Sequence, residues 1–89
     1  MLKLFISNEF KKDIKRLQKK HYDIEKLNAL VDILINKKTI PNNYRLHTLK
    51  GDWAGYKKCH IDKNWLLIFY EDKDSITLIK TGSHDELFK

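Results

Sequence analysis

Apolar and polar positions change period twice along the chain. In "LKLFIS" (Leu2 to Ser7) they alternate, with Leu2, Leu4 and Ile6 on one side and Lys3 and Phe5 on the other, which predicts a short strand. In "NEFKKDIKRLQKK" the period lengthens. Phe10, Ile14 and Leu17 fall at i, i+4 and i+7 and form one helical stripe. Ser7 or Asn8 can cap this helix, and Glu9 falls in its first turn. After "HYD", with Asp23 as a second cap, Ile24, Leu27, Leu30, Val31, Leu34 and Ile35 build a stronger apolar face. The break between the two segments is short, so they are expected to form a helical hairpin. "NKKTIPNNY" then reads as a loop around Pro41, and "RLHTLKGDWAGY" as a short extended piece followed by a turn at Gly51 and Asp52.

Strand signals fill the remainder: "YKKCHI" (Tyr56 to Ile61), "WLLIFYE" (Trp65 to Glu71) and "SITLIKT" (Ser75 to Thr81). They are joined by "DKN" and "DKD", and links this short favour antiparallel neighbours. A strand, two helices and a run of strands predict an α+β fold. A helical hairpin would pack on one face of a mostly antiparallel sheet of four to five strands.

At 89 residues the chain makes a single domain with a modest core. No apolar run reaches the ~20 residues that span a bilayer, and the apolar N-terminal stretch is too short for a secretory signal. A cytoplasmic location is expected, and the lone Cys59 agrees, since it has no internal disulfide partner. The formal charge of +6 favours a polyanionic partner, either nucleic acid or an acidic protein segment. Lys11, Lys12, Lys15, Arg16, Lys19 and Lys20 concentrate part of that charge on the first helix. Such a face is most often solvated, and phosphate attraction is the second reading.

Four histidines carry the candidate chemistry. His21 lies among lysines at the helix junction and reads as solvated surface. His47, His60 and His84 all lie in the sheet-forming half, where antiparallel order can bring strand ends together. A histidine pair beside a cation can cleave RNA. One ring takes the 2′-hydroxyl proton, the other protonates the leaving 5′-oxygen, and the cation stabilises charge on the phosphate. Lys80, four residues before His84, is the candidate cation. Scattered histidines are more often structural or exposed, so both readings stand at this point. A metal site is the weaker reading, because the histidines lie far apart and no HxH, HExxH or CxxC occurs. Cys59 sits mid-strand on the face opposite His60, which places it in the core. Phe88, next to the last residue, either pins the tail or stacks on a nucleotide.

The segment "HTLKGDWAGYKKCHIDKNWLLIFYEDKDSITLIKTGSHDELF" resembles the C-terminal half of the YafQ branch of the RelE/ParE toxin superfamily. The shared pattern runs H-x-L-x-G-x-W-x-G-Y, then a histidine strand leading to W-L-L-I, then T-G-S-H-x-x-L-F. The helical hairpin fits the N-terminal half of that family, so the resemblance covers residues 1–89 as one toxin domain. It implies the toxin of a type II toxin–antitoxin pair: a ribosome-associated mRNA interferase, an endoribonuclease that needs no metal or other cofactor. It implies His84, His47, His60 and Lys80 as catalytic residues, His84 first among them, and Trp65, Phe88 and Asn64 as substrate-binding residues. It also implies partners: a cognate antitoxin, mRNA, the ribosome, and operator DNA only through the antitoxin complex. Two positions depart from the branch. Asn64 stands where an aspartate is common and cannot act as a base. Lys80 stands where an arginine is common and lacks the bidentate fork. Rival readings are a topoisomerase poison of the ParE type, which needs no histidine cluster, and a non-catalytic RNA- or ribosome-binding protein.

Overall fold

The structure, a computed structural model, describes residues 1–88. Strand β1 (Lys3–Ile6) leads into helices α1 (Asn8–Lys19) and α2 (Ile24–Ile35). After a loop with a 3-10 turn come β2 (His47–Thr48), β3 (Lys57–Asp62), β4 (Trp65–Glu71) and β5 (Ser75–Gly82), and a single helical turn, α3 (His84–Leu87), ends the fold. The five strands form one sheet in the order β1-β5-β4-β3-β2, with β1 parallel to β5 and the rest antiparallel. This is the expected α+β architecture.

Local chemistry explains the helical hairpin. Ser7 caps α1 by accepting the Phe10 N–H at 2.9 Å, and Asp23 caps α2 by accepting the Glu25 N–H at 3.2 Å. The hairpin covers one sheet face. Phe10, Leu17, Leu27, Leu30 and Leu34 pack there on Cys59, Trp65, Leu67, Phe69, Ile76 and Leu78. A smaller cluster on the opposite face joins Leu66, Ile68 and Leu87 to Leu49, Trp53, Tyr56, Ile79 and Phe88.

Two features depart from simple alternation. Leu4 and Ile6, which share one side of the first strand with the buried Leu2, stay partly exposed like Phe5 on the other side, and β1 is the sheet edge. An open apolar groove of about 230 Å³ runs from them past Phe10 and Ile14. More consequential is a bulge in β5. Ile68 pairs with Lys80, but Phe69 pairs with Leu78, so Ile79 is an extra residue. Strict period two would put Lys80 on the helix side with Ile76 and Leu78. The bulge turns it to the opposite face. The bulge is sustained by α1, since the Ser7 hydroxyl donates to the Ile79 carbonyl at 2.7 Å. A second irregularity at Ile61 turns Asp62 toward α2, where it pairs with Lys26 at 2.7 Å.

Candidate active site

The sheet face away from the hairpin carries the candidate chemistry. His47 pairs with Lys58, Lys58 with Ile68, and Ile68 with Lys80, so these four residues form one row across four strands. Directly opposed residues project to the same face. His60 lies two residues beyond Lys58 and opens the next row, opposite Leu66 and then Gly82. Lys58 and Lys80 are thus held about 10 Å apart, two strand spacings, on an apolar floor. Long-range pairing gathers His47, His60 and Lys80 from three segments that the sequence keeps apart.

The fourth element of the site is α3. The segment "SHDE" folds as a capping box, in which the Ser83 hydroxyl accepts the Glu86 N–H at 3.2 Å and a Glu86 carboxylate oxygen accepts the Ser83 N–H at 2.8 Å. The segment after the last strand is therefore a helical turn, and His84 is its first residue. Leu87 anchors the turn in the second core cluster. The His84 side chain is 63% exposed, and its ring lies 5.1 Å from that of Phe88. Its backbone N–H donates to Asn64 Oδ1 at 3.3 Å. Asn64 therefore orients the histidine turn through the main chain, a role that an amide fills as well as a carboxylate.

Aromatic rings wall the face. Phe88 meets Trp53 edge-on at 6.1 Å, with Lys58 Nζ 5.7 Å from the Phe88 ring and Lys80 Nζ 5.3 Å from the Trp53 ring. Lys80 also pairs with Glu9 of α1 at 3.2 Å. Its ammonium is therefore directed toward Trp53 and Glu9, and a phosphate at this position would compete with Glu9.

His60 is half-buried, and its Nδ1 is buried with no hydrogen-bond partner. Burial lowers the ring's pKa below the ordinary imidazole value, and the positive charge of Lys58 and Arg45 and the neighbouring His47 lower it further, against a small opposing effect of the Arg45 carbonyl. A cleft of about 310 Å³ beside it is lined by Asn43, Arg45, His60, Ile61, Asp62 and Lys63.

One assignment from sequence changes here, while Cys59 and His21 lie where the sequence reading put them. Trp65 does not line this face. It is 3% exposed, lies in the hairpin-side core against Tyr22, and donates its indole N–H to Thr81 Oγ1 at 2.8 Å. A ring so placed cannot stack on a nucleotide, so the substrate-binding assignment of Trp65 is corrected to a supporting one. Cys59 is fully buried, and burial pushes its thiol up to about 11, which leaves it inert as a nucleophile. His21 lies in the exposed turn between the helices. Sequence reasoning missed Lys58 and Arg45, which only the strand pairing and the 3-10 turn before β2 bring to His47 and His60. Among the described residues, no three His, Cys, Asp or Glu side chains are grouped closely enough to hold a metal ion. Nor is any described helix long and apolar enough to cross a membrane.

The family model described as the bacterial toxin of type II toxin–antitoxin system, YafQ, matches residues 2–89. The mRNA interferase toxin YafQ of Escherichia coli strain K12 is 37% identical over 83 residues, spanning 92% of this chain and 90% of its own length. The crystal structure of YafQ from E. coli BL21(DE3) superposes with a TM-score of 0.95 at 33% identity over the whole of both chains. YafQ in the E. coli DinJ–YafQ toxin–antitoxin complex gives 0.92 at 35% identity, covering 99% of this chain and 98% of that one. A metal-bound toxin from Helicobacter pylori gives 0.93 at 33% identity, covering 99% and 100%. Matched along nearly its full length by sequence and by fold, the chain belongs to the YafQ family of bacterial type II toxin–antitoxin toxins, a family of mRNA interferases.

Proposed function

We propose that this toxin cuts mRNA on the ribosome by metal-independent acid–base catalysis on the face between β2 and α3. The supporting observation is the row His47–Lys58–Ile68–Lys80, with His60 in the next row and His84 on the turn that follows β5. His60 is held toward its neutral form, so it suits the base that takes the 2′-hydroxyl proton. The freed 2′-oxygen attacks the phosphorus, and the P–O5′ bond breaks. His84, exposed at the start of α3, gives the 5′-oxygen its proton. Lys58 and Lys80 offset charge on the phosphate, and Phe88 offers a ring on which a base can stack. His47 extends the row and supports His60.

The balanced products are a 2′,3′-cyclic phosphate, or the 3′-phosphate it hydrolyses to, and a 5′-hydroxyl. The test is cleavage of a translated mRNA by the purified toxin, with both new ends analysed. Cleavage of naked model RNA in EDTA adds the metal control, because ribosomes themselves require magnesium. A 5′-phosphate end, or EDTA inactivation reversed by a divalent ion, would replace this mechanism.

On this reading the toxin is held inactive by a cognate antitoxin, supported by the solved complex of E. coli YafQ with DinJ, and it would reach operator DNA only as part of its own toxin–antitoxin complex. Its targets place it in the cytoplasm. The formal charge of +6 suits both an acidic antitoxin segment and RNA.

A further inference from the structure

The side of α1 that faces the end of β5 carries an ion network with no part in the mechanism above. β1 pairs with β5 only as far as Leu78, whose carbonyl accepts the Ser7 N–H at 3.0 Å. Beyond that point, side chains of α1 satisfy the outer edge of β5. Asp13 Oδ2 accepts the Thr81 N–H at 3.1 Å, and Arg16 Nη2 donates to the Thr81 carbonyl at 3.1 Å. Arg16 Nη1 donates to Asp13 Oδ1 at 2.7 Å. The remaining guanidinium nitrogen, Nε, stands 2.9 Å from Glu86 Oε2, an ion pair rather than an aligned hydrogen bond.

Arg16 therefore spans the joint between β5 and α3, with one side on Thr81 and the other on Glu86. The joint itself is built to admit it. A Cβ on Gly82, whose φ is +154°, would lie 2.7 Å from Arg16 Nη2 and 2.9 Å from Glu86 Oε1. α3 has four residues, and a turn of that length has no stability of its own. Its direction is set by what holds it, and Glu86, two residues after His84, is the point where α1 takes hold.

We propose that Arg16, braced by Asp13 and paired with Glu86, is a positioning residue for His84: it fixes the angle of α3 against β5 and so places the imidazole over the phosphate site. The proposal rests on the reading of His84 as a catalytic residue. It assigns Arg16 a function distinct from that of the neighbouring lysines: Lys20 Nζ also reaches Glu86 Oε2, at 3.5 Å, but among the described residues it is Arg16 that bridges Glu86 to the Thr81 carbonyl. A misplaced general acid loses rate rather than substrate, so the signature is a fall in kcat with KM unchanged.

Steady-state cleavage by Arg16→Gln, Glu86→Gln and the double variant tests this, with melting temperature and antitoxin binding measured alongside. The two single changes alter the net charge in opposite directions, so an electrostatic effect on RNA would move KM in opposite directions. Positioning instead lowers kcat in both by about 10- to 100-fold, and the double variant is no slower than the worse single variant, because the same Arg16–Glu86 pair is broken in each case. Arg16→Lys, which can reach Thr81 or Glu86 but not fork to both, gives an intermediate kcat. On a His84→Ala background neither substitution slows the residual rate further.

Wild-type kcat in folded Arg16→Gln or Glu86→Gln overturns the proposal. So do opposite shifts in KM, multiplicative losses in the double variant, or a further loss on the His84→Ala background. If Arg16→Gln does not fold, Glu86→Gln, at a half-exposed position, decides by the same kcat criterion. Full activity in His84→Ala is a separate result, which removes the catalytic assignment of His84 itself.

Discussion

The indole N–H of Trp65 donates to the Thr81 hydroxyl at 2.8 Å, and that hydroxyl donates in turn to the Leu66 carbonyl at 2.8 Å. This buried relay ties the start of β4 to the end of β5, immediately before the turn that carries His84. Trp65 thus serves the site by holding its frame. Trp65→Phe keeps an aromatic ring but loses the N–H and some volume, at an expected cost of about 1–3 kcal/mol. A urea or thermal melt should record that loss, while KM for RNA in the folded variant stays at the wild-type value. A raised KM with unchanged stability would restore a substrate-stacking role.

His84 is the exposed counterpart. Its replacement by alanine opens no core cavity, so the melting temperature should hardly move. Removing a general acid or base costs about 10²–10⁴ in rate. His84→Ala should therefore relieve growth inhibition while the protein stays folded and binds its antitoxin. His21→Ala, in the turn between α1 and α2, should alter neither property. Expression in cells and cleavage of ribosome-bound mRNA check both variants.

Much of this frame was legible in the chain. The stripe Phe10, Ile14 and Leu17, the caps Ser7 and Asp23, and the short DKN and DKD links are local signals, and the elements they predict are present. The sides on which residues fall were less legible. Lys80 shares period two with Ile76 and Leu78, yet it faces away from them because Ile79 bulges, and the bulge depends on Ser7, 72 positions away. The capping box Ser83-x-x-Glu86 was the available signal for α3, but it is short enough to pass as a bend. Lys58 and Arg45 joined the site only through strand pairing. Trp65 matched a family motif, which fixes a position without saying whether its ring meets RNA or the core.

The pH dependence should report His60. Burial, followed by Lys58, Arg45 and His47, lowers its pKa, so the unfolded chain binds its proton more readily than the folded one. Its contribution to stability is therefore complete above the unfolded value near ~6.5 and is lost as pH falls through the lower, folded value. If His60 is the base, the acid limb of the kcat/KM profile should have its midpoint below ~6.5. Lys58→Ala and Arg45→Ala, which remove the neighbouring positive charge, should each move that midpoint up. Glu86 adds a second stability term at lower pH. The Ser83 N–H holds its carboxyl below the usual range despite partial burial, with Arg16 and Lys20 contributing, so this stabilisation is present above the unfolded carboxyl value and is lost as pH falls through the folded one. Melts across the acid range should show both losses, and Glu86→Gln should remove the second.

Loss of Lys58 and loss of the partner of Lys80 should change RNA binding in opposite directions. Lys58 Nζ stands 5.7 Å from the Phe88 ring, and Lys80 Nζ is 3.2 Å from Glu9. In the proposed mechanism Lys58→Ala removes a phosphate contact. It should weaken RNA binding and flatten the plot of log affinity against log salt by about 0.7, the value for one contact to a single strand. Glu9→Gln does the reverse, because it removes the carboxylate that competes with phosphate for Lys80. Binding should tighten and the salt slope steepen. The Glu9 side chain is largely exposed, so the stability cost is confined to the loss of a negative charge in the first turn of α1, about 0.3–1 kcal/mol. Titrations of an uncleavable 2′-deoxy oligonucleotide at several salt concentrations measure both effects. Unchanged affinity and slope in Glu9→Gln would mean that Lys80 reaches the phosphate without giving up its partner, or does not reach it at all. Lys80→Ala then separates these outcomes, since only in the first does it weaken binding.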